Sequence, residues 1–299
     1  MERNFKDEYK MQGRLGIGGF GDVFKVLNKK NNQLYALKGI PKDPEENVND
    51  FKKQCEKEIE IMKNIKSKYI VKYEDNYYDE NYECYYIVME LCDSDLRKLL
   101  NKDKQKGLPL ELINKIFLQL NDALKAMLEM NCVHRDLKPE NILIKYTDKN
   151  KTIFDIKLGL STNDIKSSIK TYSKVGTQNY CAPEIDKFHY NNKCDLWSLG
   201  VILYELYTNK YIFDSDNPIE TEINRQKGKI NNKTDNKLIN NLIDKLIVVD
   251  IEKRINWEQY FNDEFFKKND KNENQQIIKI KINVDEDNEY ISIYKRNRI

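Results

Sequence analysis

The sequence predicts an α+β chain of two lobes: a small β-rich lobe over residues 9–91 and a larger helical lobe over 95–266, followed by a tail over 267–299. Three observations carry this. Short β-favouring runs bounded by Gly or Asn turns fill most of the first 90 residues. From Asp95 onward the apolar residues recur at helical spacing instead. The change of period falls within a few residues, Glu90 to Asp95, and a junction of two such parts is a usual place for a ligand cleft.

In order, Tyr9 to Leu15, Asp22 to Leu27 and Gln33 to Ile40 read as strands. A helix follows over Phe51 to Ile65, then two further strands near Ile70 to Tyr78 and Cys84 to Leu91. Leu96, Leu99 and Leu100 open the first helix of the second lobe. Leu112, Ile113, Ile116, Leu120, Leu124, Met127 and Leu128 form a long stripe. Trp197, Leu199, Ile202, Leu203 and Leu206 mark a helix that is apolar nearly all round, hence a buried one.

With 299 residues and 39% hydrophobic composition the chain can bury a sizeable core. Lys and Arg, 51 in all, nearly cancel 49 Asp and Glu, which excludes the strongly basic face of a nucleic-acid binder. Residues 1–8 hold no signal-peptide core and no apolar run is long enough for a membrane span. Six scattered cysteines without a C-x-x-C pair argue against a zinc ribbon or disulfide scaffold and predict a reduced, cytoplasmic setting.

Leu15-Gly16-Ile17-Gly18-Gly19-Phe20-Gly21-Asp22-Val23 contains G-x-G-x-x-G between two strands. Glycine lets backbone N–H groups approach phosphate oxygens with no Cβ in the way. A bare glycine-rich hairpin would read the same. The strand that follows excludes a dinucleotide fold, and the lack of G-K-[ST] excludes a Walker loop. In Tyr35-Ala36-Leu37-Lys38, Lys38 shares a strand face with Ala36. Glu58 lies in the helical stripe Phe51, Cys55, Met62, Ile65, where a lone carboxylate is costly. Pairing Lys38 with Glu58 satisfies both; the alternative is two charges reaching out to water.

His134-Arg135-Asp136-Leu137-Lys138-Pro139-Glu140-Asn141 leads into Ile142-Leu143-Ile144. With the glycine loop, Lys38 and Glu58 ahead of it, and Cys181-Ala182-Pro183-Glu184, Asp195-Leu196-Trp197-Ser198-Leu199-Gly200 and Arg254 behind it, the chain resembles a eukaryotic-type protein kinase from Tyr9 to Phe266. The resemblance implies a two-lobed kinase fold with ATP in the cleft, Mg²⁺ as its metal and proteins as substrates. It implies that Gly16, Gly18 and Gly21 cover the phosphates, that Lys38 holds them while Glu58 orients it, and that Leu15, Val23, Ala36 and Leu143 line the nucleotide pocket. Met89 would stand at the back of the adenine pocket before the hinge Glu90-Leu91-Cys92, and Asp95 would reach the ribose. Asp136 would accept the proton of the substrate hydroxyl, Lys138 would steady the γ-phosphate, and Asn141 would hold Mg²⁺. Lys138, two residues after Asp136, and Gly176-Thr177 ahead of Tyr180 resemble the serine/threonine class. Arg254 would pair with Glu184.

The resemblance breaks at D-F-G. The chain reads Phe154-Asp155-Ile156-Lys157-Leu158-Gly159-Leu160-Ser161, with no Asp-Phe-Gly. The simplest alignment leaves three residues missing between Leu158 and Gly159, the metal-binding Asp among them. A gapless alignment sets Lys157 at that Asp, where a cation repels Mg²⁺. A third makes Asp155 the surrogate metal ligand, since it follows Asp136 by 19 residues against roughly 18 in the family. Two functions remain open on this reading: a serine/threonine kinase with impaired activity, or a pseudokinase that binds nucleotide or scaffolds partners.

Ser167, Ser168, Thr171, Tyr172 and Ser173 are candidate phosphorylation sites whose phosphate Arg135 would receive. In the tail, Ile277 to Ile282 and Tyr290 to Tyr294 alternate around an acidic turn, a hairpin pattern, and no EF-hand loop is present.

Overall fold

The computed structural model describes residues 5–18, 21–102, 105–160, 177–185, 191–270, 281–282 and 293–294. A short helix α1 (Phe5–Glu8) precedes β1 (Tyr9–Gly18), β2 (Gly21–Asn28) and β3 (Leu34–Pro41). Helix α2 (Val48–Asn64) then crosses to β4 (Tyr73–Asp79) and β5 (Cys84–Glu90). The five strands form one antiparallel sheet in the order β1-β2-β3-β5-β4.

Alternation along β3 decides what each face of this sheet carries. Lys38 lies opposite Val23 on one side and Ile87 on the other, and Ala36 lies opposite Met89. These residues share the inner face. There Ile40, Tyr85 and Ile87 pack on Phe51, Cys55, Ile59 and Met62 of α2. Asn47 caps α2, its side chain accepting from the Asn49 and Asp50 N–H groups at 2.9 and 3.3 Å. On the outer face Val26, Leu37 and Val88 are covered by Phe5 and Tyr9. The Phe5 ring stacks on Tyr9 at 4.7 Å and on Tyr77 at 4.6 Å, so the residues before β1 help close the lobe.

The second lobe opens with β6 (Ser94–Asp95), α3 (Leu96–Asn101) and α4 (Leu110–Glu129). β7 (Ile142–Tyr146) pairs with β6 on one side and β8 (Phe154–Leu158) on the other in a three-stranded sheet whose β8 lies against α4. α5 (Cys194–Thr208) is buried from Cys194 to Leu206, as its lack of a polar face requires. α6 (Pro218–Lys227), α7 (Lys237–Leu246), α8 (Trp257–Phe261) and α9 (Glu264–Asp270) complete the lobe. In the tail β9 (Lys281–Ile282) pairs antiparallel with β10 (Ile293–Tyr294). This is the two-lobed kinase architecture that the sequence predicts.

One difference locates the junction. β4 begins at Tyr73 rather than near Ile70, because Ile70 and Val71 serve the lobe boundary instead of the sheet. Ile70 bridges Leu158, the Val71 N–H donates to Leu158 O at 2.9 Å, and the Leu158 N–H donates to Tyr69 O at 2.7 Å. Leu160 packs against the cores of both lobes. The candidate phosphorylation sites from Ser167 to Ser173 lie outside the described residues. Among the described residues no helix is long and apolar enough to cross a membrane.

Candidate active site

The upper wall of the cleft is the inner face of the sheet. β1 and β2 close on the glycine turn, with Gly16 opposite Val23 and Gly18 opposite Gly21. Gly21 has φ +138°, and a Cβ there would fall 1.7 Å from Gly39 O. Only glycine lets this turn lie against β3. Leu15, at the same turn, is exposed. Burial draws the Lys38 ammonium down to about 8, against the opposing pull of the Glu58 and Asp136 carboxylates. Lys38, buried Glu58 and buried Asp136 thus form one electrostatic cluster across the two lobes.

The hinge is tied at several points. The Glu90 carboxylate accepts from the Lys72 N–H at 2.8 Å and pairs with Lys157 Nζ at 2.8 Å. Lys145 Nζ donates to Leu91 O, and the Asp93 N–H donates to Ile144 O at 2.9 Å. Burial pushes the Cys92 thiol up to about 12, so it stands protonated at neutral pH. Asp95 lies opposite Leu143 across β6 and β7. Its carboxylate also caps α3, accepting from the Lys98 N–H at 2.8 Å.

The turn from His134 to Asp136 is built on α5. Asp195, buried in the first turn of that helix, accepts from the backbone N–H groups of His134 and Arg135, both at 2.8 Å. Arg135 takes a left-handed φ of 63°, the turn that points successive N–H groups at one carboxylate. His134 Nε2 donates to Gly159 O at 2.7 Å, since a carbonyl only accepts, which leaves Nδ1 as an acceptor for the Asp136 N–H at 3.3 Å. His134 is thereby a positioning residue. Asp136 pairs with Lys138 Nζ at 2.8 Å and accepts from Asn141 Nδ2 at 2.9 Å, while the same Nδ2 reaches Asp136 O at 2.7 Å. The three residues make one triangle.

The segment after β8 resolves where the chain goes at the break in the motif. Leu158 runs directly into Gly159, whose N–H donates to Asn141 O at 2.9 Å. Gly159 therefore lies against the Asn141 main-chain carbonyl and carries no side chain there. A Cβ on Gly159 would stand 3.4 Å from Asn141 O and 4.0 Å from Leu143 Cδ1, so the backbone has room for one. Lys157 is carried to the hinge and not to the metal position. Asp155 is not brought to Asn141: it lies opposite Lys145, four residues farther along β7, and accepts from Gln119 Nε2 of α4 at 2.6 Å.

Mg²⁺ takes hard oxygen donors in a near-octahedral shell, usually with a carboxylate. Beside Gly159 the structure offers the neutral amide of Asn141 and the Asp136 carboxylate, which is already engaged by Lys138 and Asn141. Among the described residues no group of three or more His, Cys, Asp or Glu is placed to hold a metal ion. This donor set does not fit Mg²⁺.

The family model for the protein kinase domain matches residues 9–266. The chain belongs to the protein kinase family. It is similar to calcium-dependent protein kinase 3 of Plasmodium yoelii yoelii, 32% identical over 276 residues, covering 89% of this chain and 49% of that protein. It is also similar to calcium-dependent protein kinase 5 of Plasmodium berghei (strain Anka), 38% identical over 212 residues, covering 71% of this chain and 35% of that one. A probable serine/threonine-protein kinase, nek1, of Dictyostelium discoideum is 31% identical over 226 residues, covering 70% and 45%. The chain spans about half or less of the length of these relatives.

Two features of this kinase domain carry no mark in the sequence. One is the Lys157–Glu90 pair, which only the β7–β8 register brings to the hinge. The other is Arg97 of α3, which donates to Glu140 at 2.8 Å, to Glu205 of α5 at 2.7 Å, and to the Tyr180 hydroxyl. The Arg254–Glu184 pair, expected from the family resemblance, is present and bidentate at 2.6 and 3.0 Å.

Proposed function

We propose that this chain is a serine/threonine protein kinase domain of impaired turnover, transferring the γ-phosphate of ATP to Ser or Thr hydroxyl groups of protein substrates. The observation that carries this reading is the Asp136–Lys138–Asn141 triangle facing Lys38 and Glu58 across the cleft. In this reading Gly16, Gly18 and Gly21 cover the phosphates, and Leu15, Val23, Ala36, Met89 and Leu143 enclose the base. The backbone of Glu90 and Cys92 meets the adenine edge, and Asp95 meets the ribose. Asp136, its carboxylate aimed by Lys138 and Asn141, takes the acceptor proton, while Lys38 and Lys138 oppose the charge of the phosphates. The serine/threonine assignment rests on Lys138 and on the names of the relatives. The family generally works with ATP and Mg²⁺; the absence of a side chain at Gly159 is what lowers turnover here. Asp155, bound to α4, plays no part in the site. A cytoplasmic setting agrees with six cysteines that form no disulfide.

Gly159 also favours a second reading, a pseudokinase that binds nucleotide and presents a surface to partners. Incubation with radiolabelled ATP and a Ser/Thr peptide mixture, beside Asp136→Asn, separates the two. The kinase reading expects slow incorporation that the variant abolishes while ATP binding persists. Equal signals from both proteins would assign the incorporation to a contaminant.

A further inference from the structure

Helix α6 turns an apolar stripe outward. Its rotation is fixed from within: Arg225, almost fully buried, donates to Cys181 O at 2.8 Å and pairs with Glu222 at 2.7 Å, and Asn224 beside it is buried too. At about 100° per residue, the opposite side of the helix then carries Ile219, Ile223, Lys227 and Glu220 within one arc of about 100°. Ile219 is 72% exposed and Ile223 43%. Val249, also exposed, stands at the C-terminal end of the same helix, where a Cβ on Gly228 would meet its Cγ2 at 3.1 Å. Single apolar residues scattered over a surface need no explanation, but three together beside charged groups mark a contact surface.

The charges say what kind of partner fits. Glu220 lies in the first turn of α6 and Lys227 in the last, and both are exposed. A second copy of the chain, laid antiparallel about a two-fold axis beside Ile223, sets Glu220 of each copy against Lys227 of the other. The same register brings Ile223 onto Ile223 and carries Ile219 to the Gly228–Val249 end. A two-fold contact needs a surface complementary to itself, and an apolar helix face that runs from acid to base is one.

We propose that the exposed face of α6 is the interface of a symmetric, antiparallel dimer of this chain. A helix of ten residues is about 15 Å long and covers less than the roughly 800 Å² per partner of a stable interface, so the dimer is a weak one, with a dissociation constant on the order of 10–100 µM.

Sedimentation equilibrium of the full chain, from about 1 to 500 µM, tests this. The expected result is a monomer–dimer equilibrium within that range. A monomer throughout would overturn the proposal and leave the face to a partner of another kind. Glu220→Lys and Lys227→Glu are each expected to weaken self-association by about tenfold or more, because each sets like charges together on both sides of the axis. Mixed in equal amounts, the two variants are expected to associate within about threefold of the wild type, since both contacts are then of opposite sign. Variants that dimerise as the wild type does would put the interface elsewhere, and a mixture that stays monomeric would remove the Glu220–Lys227 register; either result overturns the proposal. Should a charge variant fail to fold, the wild-type sedimentation still decides, beside Ile223→Asp, which is expected to stay monomeric at every concentration.

Discussion

Lys38 shows how a single residue sets a pH dependence. Burial lowers its pKa to about 8 from the unfolded 10.5. Below about 8 it is charged in both states. Between 8 and 10.5 the unfolded chain holds the proton and the folded one does not, so stability of the free protein rises with pH across that window. Nucleotide binding runs the other way, because the phosphates need the ammonium. Affinity for ATP is expected to fall as pH rises through about 8, which titrations between pH 7 and 9.5 would show. A flat profile would mean that Lys38 does not contact the phosphates. Glu184 is the residue-scale case for stability. Its carboxylate is the bidentate partner of Arg254, which is almost fully buried. Glu184→Ala leaves that guanidinium without its counter-charge and is expected to cost about 3–5 kcal/mol, read by urea unfolding. A loss below about 1 kcal/mol would show that Val248 O, Lys193 O and the Trp197 face suffice to hold Arg254.

At the scale of elements, α2 carries Glu58 and α5 anchors the turn from His134 to Asp136, and each depends on its first turn. Asn47→Ala removes the side-chain cap of α2 and is expected to cost about 1 kcal/mol. Because the cap is three turns from Glu58, the change should lower melting temperature more than ATP affinity. A selective loss of affinity would show that α2 moves as a lever. Asp195→Ala strips two backbone N–H groups of their acceptor in a buried setting, about 1–3 kcal/mol for each. Phosphotransfer should fall with it, since Asp136 follows directly on that turn. These dependencies were legible in part. The 3.6 period announced α4 and α5, and alternation placed Lys38 beside Ala36. The sequence could not show that Phe5 folds back over Tyr77, because a lone aromatic before the first strand has no period to read. Nor could it show that Arg97 meets Glu140 and Glu205, since those partners lie 43 and 108 residues away.

For the molecule as a whole, motifs made the fold and most of the cleft readable, because phosphate approach, hydroxyl deprotonation and charge pairing each demand particular residue types at fixed spacing. The break after Leu158 was not readable in the same way. Three alignments compete, and only the hydrogen bonds that Gly159 donates to Asn141 O and accepts from His134 Nε2 place that residue. The central claim is that one absent carboxylate limits an otherwise assembled kinase site. Its most direct test is the initial rate of phosphate transfer from ATP to a Ser/Thr peptide, in excess Mg²⁺, for Gly159→Asp against the wild type. The account predicts a rise on the order of 10²-fold or more, the effect of restoring one pre-organised electrostatic group. A rate equal to or below wild type, in a variant that still folds and binds ATP, would contradict it.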